Sequence, residues 1–281
     1  MVQLIRASAL ALAVAFAAAP AAQVVPSTVH PLHRPFDRLL DTYVRDGFVY
    51  YNALRIERAP LDRYVASLNG PDAIALATGS VGEQKALWIN AYNALVLRTV
   101  IDHFPIRARA KEYPSSSIRQ IPGAFEKPQH RVAGRPVSLD SIEKEILAPL
   151  GDARVFLALG RGAQGGGRLR SEAFDGPTID KLLDAAAAEA VTRPQLVRID
   201  SGANLMSLSP IFSWREAVFV ESYADKADPL FAQRSPLERA VLALIGPHLR
   251  TPEQLFVREN TFKMQFHEFD WRLNDLSSRG N

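Results

Sequence analysis

The stretch RVFLALGRGAQGGGRLR, residues 154–170, decides between two folds. An apolar run ends in a loop whose Gly160, Gly162 and Gly165 fit G-x-G-x-x-G, the spacing of dinucleotide-binding loops. Such a loop must open a helix, because the helix's first amides receive the pyrophosphate. The following residues, 165–178, contain Gly165, Gly166, Gly167, Gly176 and Pro177 and carry no apolar stripe. A second strand ending in an acid about 20 residues later is also required, yet residues 178–191 read as an Ala-rich helix. No G-K-[ST] phosphate loop is present. Nucleotide binding is therefore not expected.

Working outward, the chain has 281 residues, 47% hydrophobic and 22% charged, which suits one globular domain with a real core. The formal net charge of +3 comes from cations interspersed with acids, so there is no basic stripe for nucleic acid. Residues 1–21 have one early cation, an Ala/Leu/Val/Phe run and the small residues Ala19, Pro20 and Ala21. That layout predicts a secretory signal peptide cleaved after Ala21 or Ala22 and an exported protein with no integral membrane segment after cleavage. The absence of cysteine removes disulfides, thiolate metal sites and a cysteine nucleophile together.

Residues 22–35 read as a linker, since Pro26, Pro31 and Pro35 oppose a helix that would make His30 and His33 a metal pair. Helical periodicity begins at Phe36, returns over 56–68, and is strongest over 83–103, where Pro105 stops it. Residues 130–139 predict a hairpin turning at Gly134, and Ser138 starts a short helix to Leu147. Residues 154–159 predict a buried strand. Further strands are expected over 196–200 and 204–208, a helix over 235–246, and a half-buried strand over 262–266. The expected fold is α+β: a single mixed helix-and-sheet domain over 36–275, with a long buried helix packed on a small sheet and a tail at 276–281.

Four blocks in order then carry a resemblance: ALWINAYNALVLRTVIDHFP (86–105), VAGRPVSLDSIEKEIL (132–147), RVFLALGRGAQGGGRLRSEAF (154–174) and FHEFDWRLND (266–275). Together they resemble the domain of unknown function 547 family over roughly residues 36–275. Members of that family commonly carry an Asn-Cys-Gly where this chain has Gly160-Arg161-Gly162, and a Cys-Pro-Pro-Leu-Arg where it has Gly166-Gly167-Arg168-Leu169-Arg170. They also carry a His at the position of Phe156 and another at that of Lys144. The resemblance implies a scaffold for thiol-based hydrolysis, in which a thiolate is populated by a nearby base or cation. Here that thiol and both imidazoles are replaced, and Arg161 is no nucleophile. The opening loop thus reads as a catalytic loop without its chemistry.

The remaining candidates form one groove: Asn90, Asn93, Glu143, Lys144, Arg161 and Arg170. Asn90 and Asn93 share one face of the long helix, where each amide needs a partner if buried. They can orient a ligand or the loop, or simply cap neighbouring backbone. Glu143 and Arg170 can form an ion pair beneath the loop or bind a polar ligand. Arg161, Arg168 and Arg170 beside the glycines suggest a basic rim suited to carboxylate or phosphate, or a solvated loop. Trp88 and Tyr92 anchor the helix, and Asp270, Trp271 and Asn274 the C-terminal segment. Ser115, Ser116 and Ser117 read as a polar loop, while His267-Glu268 lies outside any helical H-E-x-x-H. No metal or cofactor is expected.

Three functions follow. The first is a non-catalytic exported domain that binds an envelope protein or a small anionic ligand through the groove. The second is a hydrolase rebuilt on Glu143, Lys144, Asn90 and Arg170 with activated water. The third is a structural part of an assembly. All three share one structural expectation, that the loop over 160–167 lies beside Asn90 and Glu143.

Overall fold

Ser80 begins the element around which the rest is wrapped. Its hydroxyl accepts the Glu83 N–H at 3.3 Å while the Glu83 carboxylate accepts the Ser80 N–H at 2.8 Å, a reciprocal cap. The helix it opens is apolar on most sides and runs over Val81–His103, buried almost continuously from Lys85 to Ile101. Pro105 forces the preceding Phe104 into extended backbone, which ends the helix. The computed structural model describes residues 29–127 and 130–277, so the expected signal peptide and most of the 276–281 tail lie outside the described residues.

Before this helix come α1 (Arg34–Tyr43), the hairpin β1 (Val44–Arg45) and β2 (Phe48–Val49), then α2 (Tyr51–Ile56), α3 (Ala59–Ser67) and α4 (Pro71–Ala77). Asp46 and Gly47 both take positive φ between the two strands, the turn that matches strand twist. Val81–His103 is α5, and α2, α3 and α4 pack on it.

Part of the expected linker is folded. Leu32 and His33 are buried, the His33 Nδ1 lies 2.8 Å from the Tyr64 hydroxyl of α3, and Phe36 stacks on the Tyr64 ring at 4.7 Å. Proline was a poor guide here because Pro35 occupies the first turn of α1, where its missing N–H costs nothing. The His30/His33 pair therefore belongs to packing.

After α5, β3 (His130–Val132) and β4 (Arg135–Val137) form the expected hairpin around Ala133 and Gly134. Ser138 caps α6 (Leu139–Ser141), which widens into a π-helical turn over Ile142–Leu147. The expected strand at 154–159 is instead a 3-10 helix, Ala153–Leu157, started by the Asp152 side chain on the Arg154 N–H. A short, wholly buried apolar run has no periodicity by which to separate these two forms.

α7 (Ile179–Ala190) follows, and the sheet is built from β5 (Val197–Asp200), β6 (Leu205–Leu208) and, after α8 (Ile211–Trp214), α9 (Glu216–Tyr223), α10 (Pro236–Ile245) and α11 (Thr251–Glu259), from β7 (Lys263–Phe266). β6 is central, antiparallel to β5 with Ile199 opposite Met206 and parallel to β7 with Met206 opposite Met264. The fold is the expected mixed α+β domain with one continuous hydrophobic core. The neighbours that bury α5 are mainly helical, however, including α7 and the π-helical turn. Among the described residues, no helix is long and apolar enough to cross a membrane.

Candidate functional site

The buried face of α5 grips the glycine loop by its backbone. Asn93 accepts the Gly160 N–H at 3.0 Å and donates to the Ala158 carbonyl at 3.1 Å. One turn earlier, Asn90 accepts the Phe174 N–H at 2.9 Å and donates to the Phe174 carbonyl at 2.8 Å. Both amides are satisfied by backbone, that of the loop itself in the case of Asn93. The loop is held at both ends, with Asn93 at its start and Asn90 beyond its close.

Between those clamps the glycines permit contact. Arg161 and Gly162 both have left-handed backbone, with φ of 51° and 62°. For a bulky non-glycine residue that conformation is uncommon and marks a site whose surroundings enforce it. A Cβ on Gly167 would stand 1.9 Å from the Leu157 carbonyl oxygen, so only glycine lets the two chain segments touch there. The C-terminal segment closes over the outside, where Gln164 and Gly165 donate to the Arg272 and Asp270 carbonyls at 2.9 Å each. Asn274 is buried and joins Tyr51 at 2.7 Å to the Gly47 carbonyl at 2.8 Å. Asp270 bonds its own neighbour Arg272; burial opposes its charge, and Arg272 more than compensates, leaving its carboxyl below the usual range.

Arg161, expected on a basic rim, points inward and is 2% exposed. Its Nη2 donates to Glu143 Oε1 at 2.7 Å, and its Nη1 to the Phe156 and Leu159 carbonyls at 3.1 and 3.2 Å. Arg215 places its own Nη2 2.9 Å from the same Glu143 oxygen and donates from Nη1 to the Trp214 carbonyl at 2.9 Å. The Tyr92 hydroxyl donates to Glu143 Oε2 at 3.4 Å. Burial works against the Arg161 charge, but the Glu143 carboxylate outweighs it and holds the guanidinium above its usual range. The Tyr92 phenol is pushed well up, by burial first and then by Glu143.

One expected groove member, Arg170, sits elsewhere. It does not reach Glu143; it pairs with Glu172 and, at 2.9 Å, with Glu189. Arg168 shares Glu189 at 2.9 Å, so the basic rim is divided between a buried arginine and two neutralised ones. Lys144 faces outward and binds Asp140 at 2.6 Å. Trp88 is buried with the Arg135 guanidinium 4.9 Å from its ring centre. Ser117 caps a short turn at 118–120, and His267 Nε2 lies 3.0 Å from the Gln195 carbonyl.

Above the Glu143 hub opens a cleft of about 270 Å³. Its floor is Glu143, Arg161 and Arg215, its rim Lys144, Asp140, Arg119 and Glu126, and its walls Trp214, Trp271 and Phe125. The Trp214 and Trp271 rings lie 6.1 Å apart at 20°, and the Arg119 guanidinium sits 4.4 Å from the Phe125 ring and 4.7 Å from Trp271. Sequence reasoning missed Arg215, Trp214 and Arg119, which belong to no block or spacing. A larger depression of about 600 Å³ between α1 and α3 is lined by none of the expected site residues. No group of three or more His, Cys, Asp or Glu placed to hold a metal occurs among the described residues.

These features define an α+β domain whose central loop is plugged by a buried arginine beneath an aromatic cleft. Residues 77–190, from the end of α4 to the end of α7, match the model of the family described as "Protein of unknown function, DUF547". Comparison with curated proteins and with solved structures finds no match.

Proposed function

We propose that this protein is an exported, non-catalytic binding domain that receives its ligand in the cleft over Glu143. The observation that carries the reading is the buried trio of Arg161, Glu143 and Arg215. Where the family resemblance implies a thiol, the chain has a guanidinium with three protein acceptors, 2.7 to 3.2 Å away. No side chain there combines nucleophilicity with an adjacent free base, which covalent hydrolysis requires.

A hydrolase rebuilt on Glu143 and Lys144 fits less well. Glu143 has two guanidinium groups on one oxygen and a phenol on the other, while Lys144 is turned to Asp140. A general base must reach the proton it abstracts, and both Glu143 oxygens already face protein donors. Export rests on the N-terminal pattern of residues 1–21.

The test is a turnover assay of the purified protein on ester, peptide and glycan substrates, run beside Glu143→Gln. No turnover above buffer is expected from either. A rate that disappears in Glu143→Gln, with the circular dichroism unchanged, would overturn this reading in favour of the rebuilt hydrolase.

A further inference from the structure

Resting on that binding role, the cleft's own chemistry specifies a ligand class. We propose that it takes a single carboxylate carried on a six-membered ring, with the carboxylate between Arg215 and Lys144 and the ring against Trp214 and Trp271.

Charge makes the first argument. On the floor, two guanidinium groups share the one carboxylate of Glu143, at 2.7 and 2.9 Å from the same oxygen. The acids on the rim are already engaged, Asp140 by Lys144 at 2.6 Å and Glu126 by Arg119 at 2.5 Å. One positive charge therefore stands uncompensated at the bottom of a cleft, where both arginine side chains are at most 15% exposed. Charge withdrawn from water calls for a counter-charge, and a guanidinium meets a carboxylate with charge-assisted hydrogen bonds. The Arg215 and Arg119 Nε–H groups are buried and lack protein acceptors. A surplus of one charge, with Asp140 and Glu126 close by, favours a monoanion over a phosphate dianion.

The walls set the rest of the molecule. Trp214 is 40% exposed, although Phe269 packs on its ring at 5.0 Å and Trp271 stacks at 6.1 Å. A six-membered ring laid face-on against these indoles would cover apolar surface, through offset stacking for an arene and through the C–H face for a pyranose. Arg119 over Trp271 holds that wall in place. The 270 Å³ volume lies just under the range of about 300–1,000 Å³ for drug-sized ligands, which limits the occupant to about one ring. Two sources share this chemistry, an arene carboxylate and a sugar acid.

Tryptophan fluorescence can read the binding, because two of the chain's three tryptophans line the cleft. The purified protein is titrated with benzoate and glucuronate, and with benzamide and glucose as uncharged counterparts. Saturable quenching is expected for at least one acid with Kd of about 1 mM or tighter, and at least about tenfold weaker for its uncharged counterpart. The tighter acid identifies the source. Lys144→Gln, an exposed change that leaves the core intact, should weaken the acid about two- to fivefold and leave the neutral compound unaffected; Trp271→Leu should weaken both.

Equal binding of acid and neutral forms, or no quenching by either acid, overturns the ligand assignment. That failure is separable from failure of the binding role. Methyl benzoate and methyl glucuronate followed by NMR would show hydrolysis only if the domain is an enzyme.

Discussion

Arg161 and Glu143 show what a single position can decide. With side chains 2% and 5% exposed, they form a buried ion pair to which Arg215 adds a second cation. Such a pair is weak evidence for stability in itself, but breaking it from one side is expensive because a charge stays behind. Glu143→Gln would leave two guanidinium groups facing a neutral amide. We expect it to lower unfolding stability by about 3–5 kcal/mol, measured by urea denaturation; a loss under 1 kcal/mol would mean that water reaches the cluster. Gly167 is a second such position. Since a Cβ there would meet the Leu157 carbonyl at 1.9 Å, Gly167→Ala must push two backbones apart. A loss of about 1–3 kcal/mol is expected, and an unchanged melting temperature would show that the loop yields easily. Asn90 and Asn93 were legible as buried amides needing partners, whereas the identity of those partners, the backbones of Phe174, Ala158 and Gly160, was not. Hydrogen bonds spanning 65 residues or more leave no local signature.

At the scale of elements, long and capped segments were the readable ones. α5 and α10, which begin at reciprocal Ser80–Glu83 and Ser235–Glu238 caps, answer the helices expected over 83–103 and 235–246, and the Ala133-Gly134 turn makes the expected hairpin. Short buried elements were not readable, as the 3-10 helix at Ala153–Leu157 and the unforeseen α4, α8, α9 and α11 show. Residues 29–33 were misplaced as linker for a different reason, since Leu32 and His33 are buried by α3 and its neighbours, which sequence spacing does not bring near. That docking makes the start of α1 acid-sensitive. Burial, helped by the nearby His30, depresses His33 from 6.5 to about 3. The native state keeps the ring neutral, while the unfolded chain binds the proton below pH 6.5. Protons then favour the unfolded chain, so this contribution to stability is intact above about pH 6.5 and is lost progressively as pH falls towards about 3. Denaturation midpoints of the wild type and His33→Gln, compared from pH 7 to pH 4, should converge on acidification. Parallel curves would show that His33 does not titrate with unfolding.

On the scale of the whole molecule, one hydrophobic core joins the N-terminal helices, α5, the glycine loop and the C-terminal segment. The C-terminal chain contributes to the site directly, since Trp271 walls the cleft while Gln164 and Gly165 hang from its backbone. The export proposal belongs at this scale too. Expressed with its native N-terminus, the protein should be recovered outside the cytoplasm beginning at Ala22 or Gln23, as intact mass and N-terminal sequencing would show. Recovery of the uncleaved chain in the cytoplasm would reject it.

By itself, the sequence determined the mixed α+β class, the long buried helix, the lack of cysteine and the likeness to the DUF547 family. Each depends on residue types or on periodicity within one segment, which composition and spacing express directly. Only the tertiary structure decided that Arg161 turns inward to Glu143, that Arg170 goes to Glu189 instead, and that Arg215, Trp214 and Trp271 complete a cleft above them. An arginine side chain is long enough to be a solvated rim or a buried plug. Which it becomes is settled by the carboxylates and carbonyls that the rest of the fold brings within hydrogen-bonding reach.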